Sequence, residues 1–186
     1  MSLTIHIPSR EIYNEETNEF FNVVGTTLKL EHSLVSISKW EAKWKKPFIN
    51  QENKTREETI DYIKCMTLTQ NVDDMVYNFL TNENLKQIND YISDPMTATW
   101  FSEETKRGIR GRNRIVTSEL IYYWMIALQI PVEFQKWHLN RLITLIQVCN
   151  EEQKQATNGK KIPKREILSR NHAINEARKA ALHTKG

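Results

Sequence analysis

In Thr27-Leu-Lys-Leu-Glu-His-Ser-Leu-Val-Ser-Ile-Ser-Lys-Trp-Glu-Ala-Lys-Trp44 the hydrophobic period of the chain changes. Up to Leu30 the apolar residues alternate. Leu28 and Leu30 face one way and Thr27 and Lys29 the other, as in a half-buried strand. From Ser33 the spacing lengthens: Leu34, Ile37, Trp40 (or Glu41) and Trp44 recur at helical intervals. Ser33 can cap this helix, and Lys45-Lys46-Pro47 end it. Two tryptophans on one stripe predict a large buried area per turn.

Upstream of this switch the pattern is strand-like. Leu3, Ile5 and Ile7 oppose Thr4 and His6, and Phe21, Val23 and Val24 form another candidate strand. Asn14 to Glu19 reads as a hairpin loop and Gly25 as a turn or bulge. Downstream the patterns are helical. Thr55 and Glu58 have capping-box spacing and open a helix with Ile60, Ile63, Met66 and Leu68 near one face, Tyr62 and Cys65 beside them. Asn71 is placed to cap a short helix holding Val72, Met75, Val76, Phe79 and Leu80. Leu85, Ile88, Tyr91 and Ile92 mark another, stopped by Pro95. Ser118 is placed to cap the most apolar segment, Leu120 to Ile130, whose all-round apolarity predicts a central buried helix. After Pro131 a helix is expected from Val132 to Glu152. Phe134, His138, Leu142, Leu145 and Cys149 lie on one face, and Leu139, Ile143 and Ile146 on a neighbouring one. The expected fold is mainly α. A compact helical domain (32–152) carries a small N-terminal antiparallel β element (1–31) and a basic, partly disordered C-terminal arm (153–186).

Composition agrees. Only 5 Gly and 5 Pro in 186 residues argue against an all-β protein full of tight turns, and the length suffices for one sizeable core. Residues 153–186 carry nine Lys/Arg against two Glu, a net of +7, so with +3 overall the remainder is near −4. Lys106, Arg107, Arg110, Arg112 and Arg114 form a second basic cluster in a glycine-containing segment read as an exposed loop. The longest apolar run, Leu120 to Leu128, is far short of the ~20 residues of a membrane span. Residues 1–12 carry polar side chains throughout, unlike a secretory signal. Cys65 and Cys149 sit in apolar helical stretches and read as buried, reduced core thiols. An intracellular protein without a membrane partner is expected.

No pattern of catalysis or metal binding emerges. His6, His32, His138, His172 and His183 make no zinc-protease pair, and there is no Cys-x-x-Cys or Gly-x-Ser-x-Gly. Asn158-Gly-Lys-Lys161 lacks the upstream glycine and the Ser/Thr of a phosphate loop. Glu57/Glu58 and Asp73/Asp74 fall where helix dipoles favour negative charge. His138 reads as a hydrogen-bonded core histidine and His32 as a cap or cross-contact at the sheet-to-helix junction. The expectation is a non-enzyme without cofactor or metal. Candidate partner-binding residues are Trp100, Phe101, Arg107, Arg110, Arg112, Arg114, Lys160, Lys161, Lys164 and Arg165. Trp124 and Trp137 are expected in the core. Residues 153–186 hold no aromatic residue, so base stacking is not expected of the tail, although both basic segments can contact phosphates.

The runs Leu30 to Glu41, Trp44 to Phe48, Tyr62 to Met66, Glu119 to Met125 and Gln135 to Arg141 resemble a group of small proteins from the structural gene modules of tailed bacteriophages, of the tail assembly chaperone or morphogenesis kind. The likeness spans roughly residues 28–150. It implies no catalytic residues. It implies a role in tail assembly: chaperoning the tape-measure protein or another tail component in the host cytoplasm, or joining the virion as a minor tail or connector subunit. A nucleic-acid-binding regulator using the 106–114 loop and the C-terminal arm is the remaining class.

Overall fold

The computed structural model describes residues 2–14, 19–51, 53–101, 115–158 and 164–182. Four strands come first: β1 (Leu3–Ile7), β2 (Arg10–Asn14), β3 (Glu19–Val23) and β4 (Thr26–Leu30). They pair as nested antiparallel ladders, β1 with β4 (Leu3 opposite Leu30) and β2 with β3 (Arg10 opposite Val23). Between the ladders, a Cβ at Gly25 would lie 3.1 Å from the Ser9 backbone nitrogen, so the residue expected to turn the chain is also one where strands crowd. The alternation in β1 and β4 is as expected: Ile5, Ile7, Leu28 and Leu30 are buried and Thr4, His6, Thr27 and Lys29 are exposed. Strand β2 was not foreseen, because Arg-Glu-Ile-Tyr-Asn lacks a clear alternation.

Helix α1 (Leu34–Trp44) begins where the period changes. The Ser33 amide donates to Ser36 Oγ at 3.1 Å, and Lys45 closes the helix in the left-handed conformation (φ 56°). Leu34, Ile37 and Trp40 are fully buried. Helix α2 (Arg56–Met66) opens with the expected capping box: Thr55 Oγ1 accepts from Glu58 N at 3.2 Å, and the Thr55 amide donates to Glu58 Oε2 at 2.8 Å. The buried faces of α1 and α2 meet through polar groups as well as apolar ones. The Trp40 indole donates to the Glu58 carbonyl and the Trp44 indole to Asp61 Oδ2, both at 2.9 Å. Lys43 pairs with Asp61, and Lys46 with Glu58 at 2.6 Å. The Lys46 ammonium, with the Thr55 amide, holds the Glu58 carboxyl below its ordinary range. Buried indole N–H groups need such acceptors, so these tryptophans fix register as well as filling volume.

The short helix placed at Val72 to Leu80 is a 3-10 helix, Asp74–Phe79, and its cap is Asp73, whose Oδ1 accepts from Met75 N at 2.9 Å. Asn71 instead takes the left-handed conformation (φ 55°) that asparagine tolerates in turns. Helix α3 (Asn82–Ser93) follows, with Ile88 and Tyr91 buried, and packs against β1.

Helix α4 (Ser118–Ala127) corrects two expectations. Ser118 is its first residue, not its cap. The Ser118 amide donates to Glu41 Oε2 at 2.7 Å, while Glu41 Oε1 accepts from Phe48 N at 2.8 Å. A buried carboxylate of α1 thus serves the helix start. The helix also stops short of Ile130. Gln129 is left-handed (φ 55°), and Ile130 N returns to Met125 O at 2.8 Å, a Schellman closure. After Pro131 the chain makes a 3-10 helix, Val132–Lys136, and then an isolated bridge between His138 and Ser33. The long helix α5 therefore begins at Leu139, not Val132, and runs to Asn158, past the expected end. Helix α1 is the hub, packing on α2, α4 and the 3-10 helix Val132–Lys136.

The inner face of the β1–β4 ladder belongs to the same buried cluster as α1 to α5. Helix α6 (Lys164–Leu182) lies in the basic C-terminal arm, and none of residues 167–181 is buried. The arm is expected to be partly disordered; over residues 164–182 it is helical. No helix among the described residues is long and apolar enough to cross a membrane.

Candidate interaction surface

The residues singled out from the sequence do not form one described site. Trp100 and Phe101 are half-buried, in a segment without regular structure after α3. Arg107, Arg110, Arg112 and Arg114 lie outside the described residues, as do Lys160 and Lys161. Lys164 and Arg165 stand in the first turn of α6. On α6, Ile167 and Leu168 are exposed, and Lys179 pairs with Glu176 at 3.5 Å.

Among the described residues, the helix residue with the most exposed apolar side chain, Ile126, lies elsewhere, on α4. Ser118, Ile121 and Met125 are its buried residues, at spacings of three and four. Tyr123 and Ile126, one turn apart on another side, are 62% and 77% exposed, and Val132, just past the helix, is 59% exposed. The expectation of a central buried helix fails here: α4 is packed on one side only. Its uniform apolarity hid this, since a helix without a polar face gives no signal of which side meets solvent. Ile126 therefore presents an aliphatic side chain to water that the fold does not use.

A second cluster lies along the next segment. Phe134 and Trp137 stack with centroids 4.0 Å apart, and the Arg141 guanidinium lies 4.2 Å above the Trp137 ring. Trp137, expected in the core, is half-exposed in this ladder, and Trp124, also expected there, is half-buried against it. Nothing in single-residue patterns separates a core tryptophan from one stacked under an arginine; here the irregular backbone at 132–138 decides it.

The cysteines are half-buried and free, where full burial was expected. Burial still pushes the Cys65 thiol up, away from the thiolate form that nucleophilic chemistry needs. His138 is the hydrogen-bonded core histidine anticipated: Nε2 meets the Tyr91 carbonyl at 2.9 Å. His32 makes the anticipated cross-contact, its Nδ1 lying 2.5 Å from Tyr62 Oη. Among the described residues no group of three or more His, Cys, Asp or Glu is placed to hold a metal ion. Comparison of the chain with protein-family models, with curated proteins and with solved structures finds no match.

Proposed function

We propose that this chain is a tail morphogenesis protein of a bacteriophage, acting in the host cytoplasm as an assembly chaperone or adaptor. In this reading it holds another tail component, such as the tape-measure protein, until assembly. The observation that carries the reading is the outward apolar face of α4, Tyr123 and Ile126, with Val132 beyond the helix end. A long helical partner can lie along such a face by its own apolar stripe. The basic helix α6 supplies a second contact to an acidic partner surface. The resemblance of residues 28–150 to phage structural-module proteins supplies the biological setting.

The test uses the purified chain and purified tape-measure or tail-tube segments of the same phage, with affinity measured by calorimetry at low and moderate salt. Binding that persists at moderate salt supports the reading. Removing residues 159–186, beyond the end of α5, is expected to leave the fold intact and weaken binding. Unchanged affinity in that truncation removes the arm from the account. Retention of nucleic acid that disappears as salt rises, without any tail protein bound, moves the function to phosphate contact by the basic segments. Fixed stoichiometry in purified particles makes the protein a minor virion subunit instead.

A further inference from the structure

Where the β1–β4 ribbon hands over to α1, two histidines face each other inside the protein. His32 and His138 are each 2% exposed, and their ring centroids are 4.9 Å apart. The backbone around them ties distant parts of the chain: Leu139 N donates to the His32 carbonyl at 2.9 Å, and Ser33 bridges His138. The His32 amide faces Tyr91 Oη of α3 at 3.4 Å.

A hydrogen bond fixes the protonation of the His138 ring. A carbonyl only accepts, so His138 Nε2 carries the hydrogen given to Tyr91 O, and in the neutral ring Nδ1 is a bare lone pair. That Nδ1 is buried and has no hydrogen-bond partner among the described residues. Ser36 Oγ gives its proton to the Ser33 carbonyl at 2.8 Å, so towards Tyr62 it can only accept, and the Tyr62 hydroxyl has two acceptors in reach, Ser36 Oγ and His32 Nδ1 at 2.5 Å. Tyr62 Oη lies 3.3 Å from Ser36 Oγ as well. A proton added to His138 Nδ1 would be a donor facing no acceptor, beside a second ring that is also short of solvent. A proton on His32 Nδ1 makes that nitrogen the donor to the Tyr62 oxygen and sends the phenol proton to Ser36 Oγ, leaving a positive charge in a buried site.

We propose that His32 and His138 form an acid-operated latch: neutral, they close the seam between ribbon, α3 and α5, and protonation opens it. The other groups around the pair do not offset an added charge well. Tyr62 from α2 and Tyr91 from α3 are held in the neutral phenol form by burial. Glu31 on the ribbon side bears on Tyr91, and Asp94, just past α3, favours charge on His138 but is outweighed there by burial. Burial, with His138 second, pushes His32 down to about 3, and burial lowers His138 as well.

Folding thus keeps both imidazoles below their unfolded range, so the unfolded chain takes up the extra protons. Stability is complete above about pH 6.5 and falls as pH drops below it. While both rings stay neutral in the folded chain, the folding equilibrium constant falls about tenfold per pH unit for each, hence about a hundredfold for the pair.

The experiment is histidine NMR titration of the full chain, combined with urea unfolding from pH 7 to 5. Two imidazoles that stay neutral to pH 5 in the folded chain are expected. The slope of stability between pH 6 and 5 should drop about tenfold per unit in His138→Gln, which retains a donor for the Tyr91 carbonyl. Either ring titrating at 6.5 or above in the folded protein overturns the proposal, as does an unchanged slope in His138→Gln. If that variant does not fold, the wild-type titration alone decides.

Discussion

Helices α1 and α4 make opposite use of apolar sequence. Helix α1 mixes Leu34, Ile37 and Trp40 with four lysine and serine positions and yet buries these three apolar side chains completely. Helix α4, Ser-Glu-Leu-Ile-Tyr-Tyr-Trp-Met-Ile-Ala, is the more apolar of the two but leaves Tyr123 and Ile126 in solvent. The difference lies in neighbours. Helix α1 is enclosed by α2, α4 and the 3-10 helix Val132–Lys136. Helix α4 packs on α1, buries Ile121 and Met125, and shows its other side to water. Apolarity says that a helix wants partners; only the tertiary arrangement says how many it finds within the chain. In the proposed function, the partner that α4 lacks is another protein.

The sharpest way to break the contrast is at Trp40. Trp40→Ala removes a fully buried indole and the donor to the Glu58 carbonyl, and should cost about 3–5 kcal/mol in urea unfolding. A loss under about 1 kcal/mol would mean that α1 is not the hub. Within α4 itself, Ile121→Ala should cost about 2–4 kcal/mol, whereas Ile126→Ala should stay within about 0.5 kcal/mol. Equal losses at the two isoleucines would erase the distinction between the faces. The smallest effect is at the end of α1. Lys45→Gly relieves a left-handed non-glycine residue and should stabilise by about 0.5–1 kcal/mol. No gain there would indicate that the Lys45 side chain contributes contacts of its own.

Local chemistry was the readable part of the sequence. Thr55 and Glu58 announce a helix start because both partners of the capping box lie within one turn. Leu28 and Leu30 announce a strand because alternation needs only neighbours. The change of period at His32 gave the α1 boundary for the same reason. What failed was set by residues far apart. Glu41 reaches the Ser118 amide across 77 positions, and no local pattern foretells that. The start of α5 moved from Val132 to Leu139 because His138 bridges Ser33, an interaction spanning most of the domain. The site was less legible than the fold. Trp100 and Phe101 were chosen for position and the arginines and lysines for charge, whereas the outward face of α4 was hidden by an apolarity that suggested burial.

The central claim is that α4 is built to be covered by another molecule. The most direct test is the double variant Tyr123→Ser with Ile126→Ser, examined together for unfolding midpoint and for affinity towards the purified tail component. The account predicts a midpoint close to wild type and an affinity at least about tenfold lower, the loss of about 1.4 kcal/mol of contact. A collapsed midpoint would show that these side chains serve the fold, and full stability with undiminished binding would show that the partner lies elsewhere.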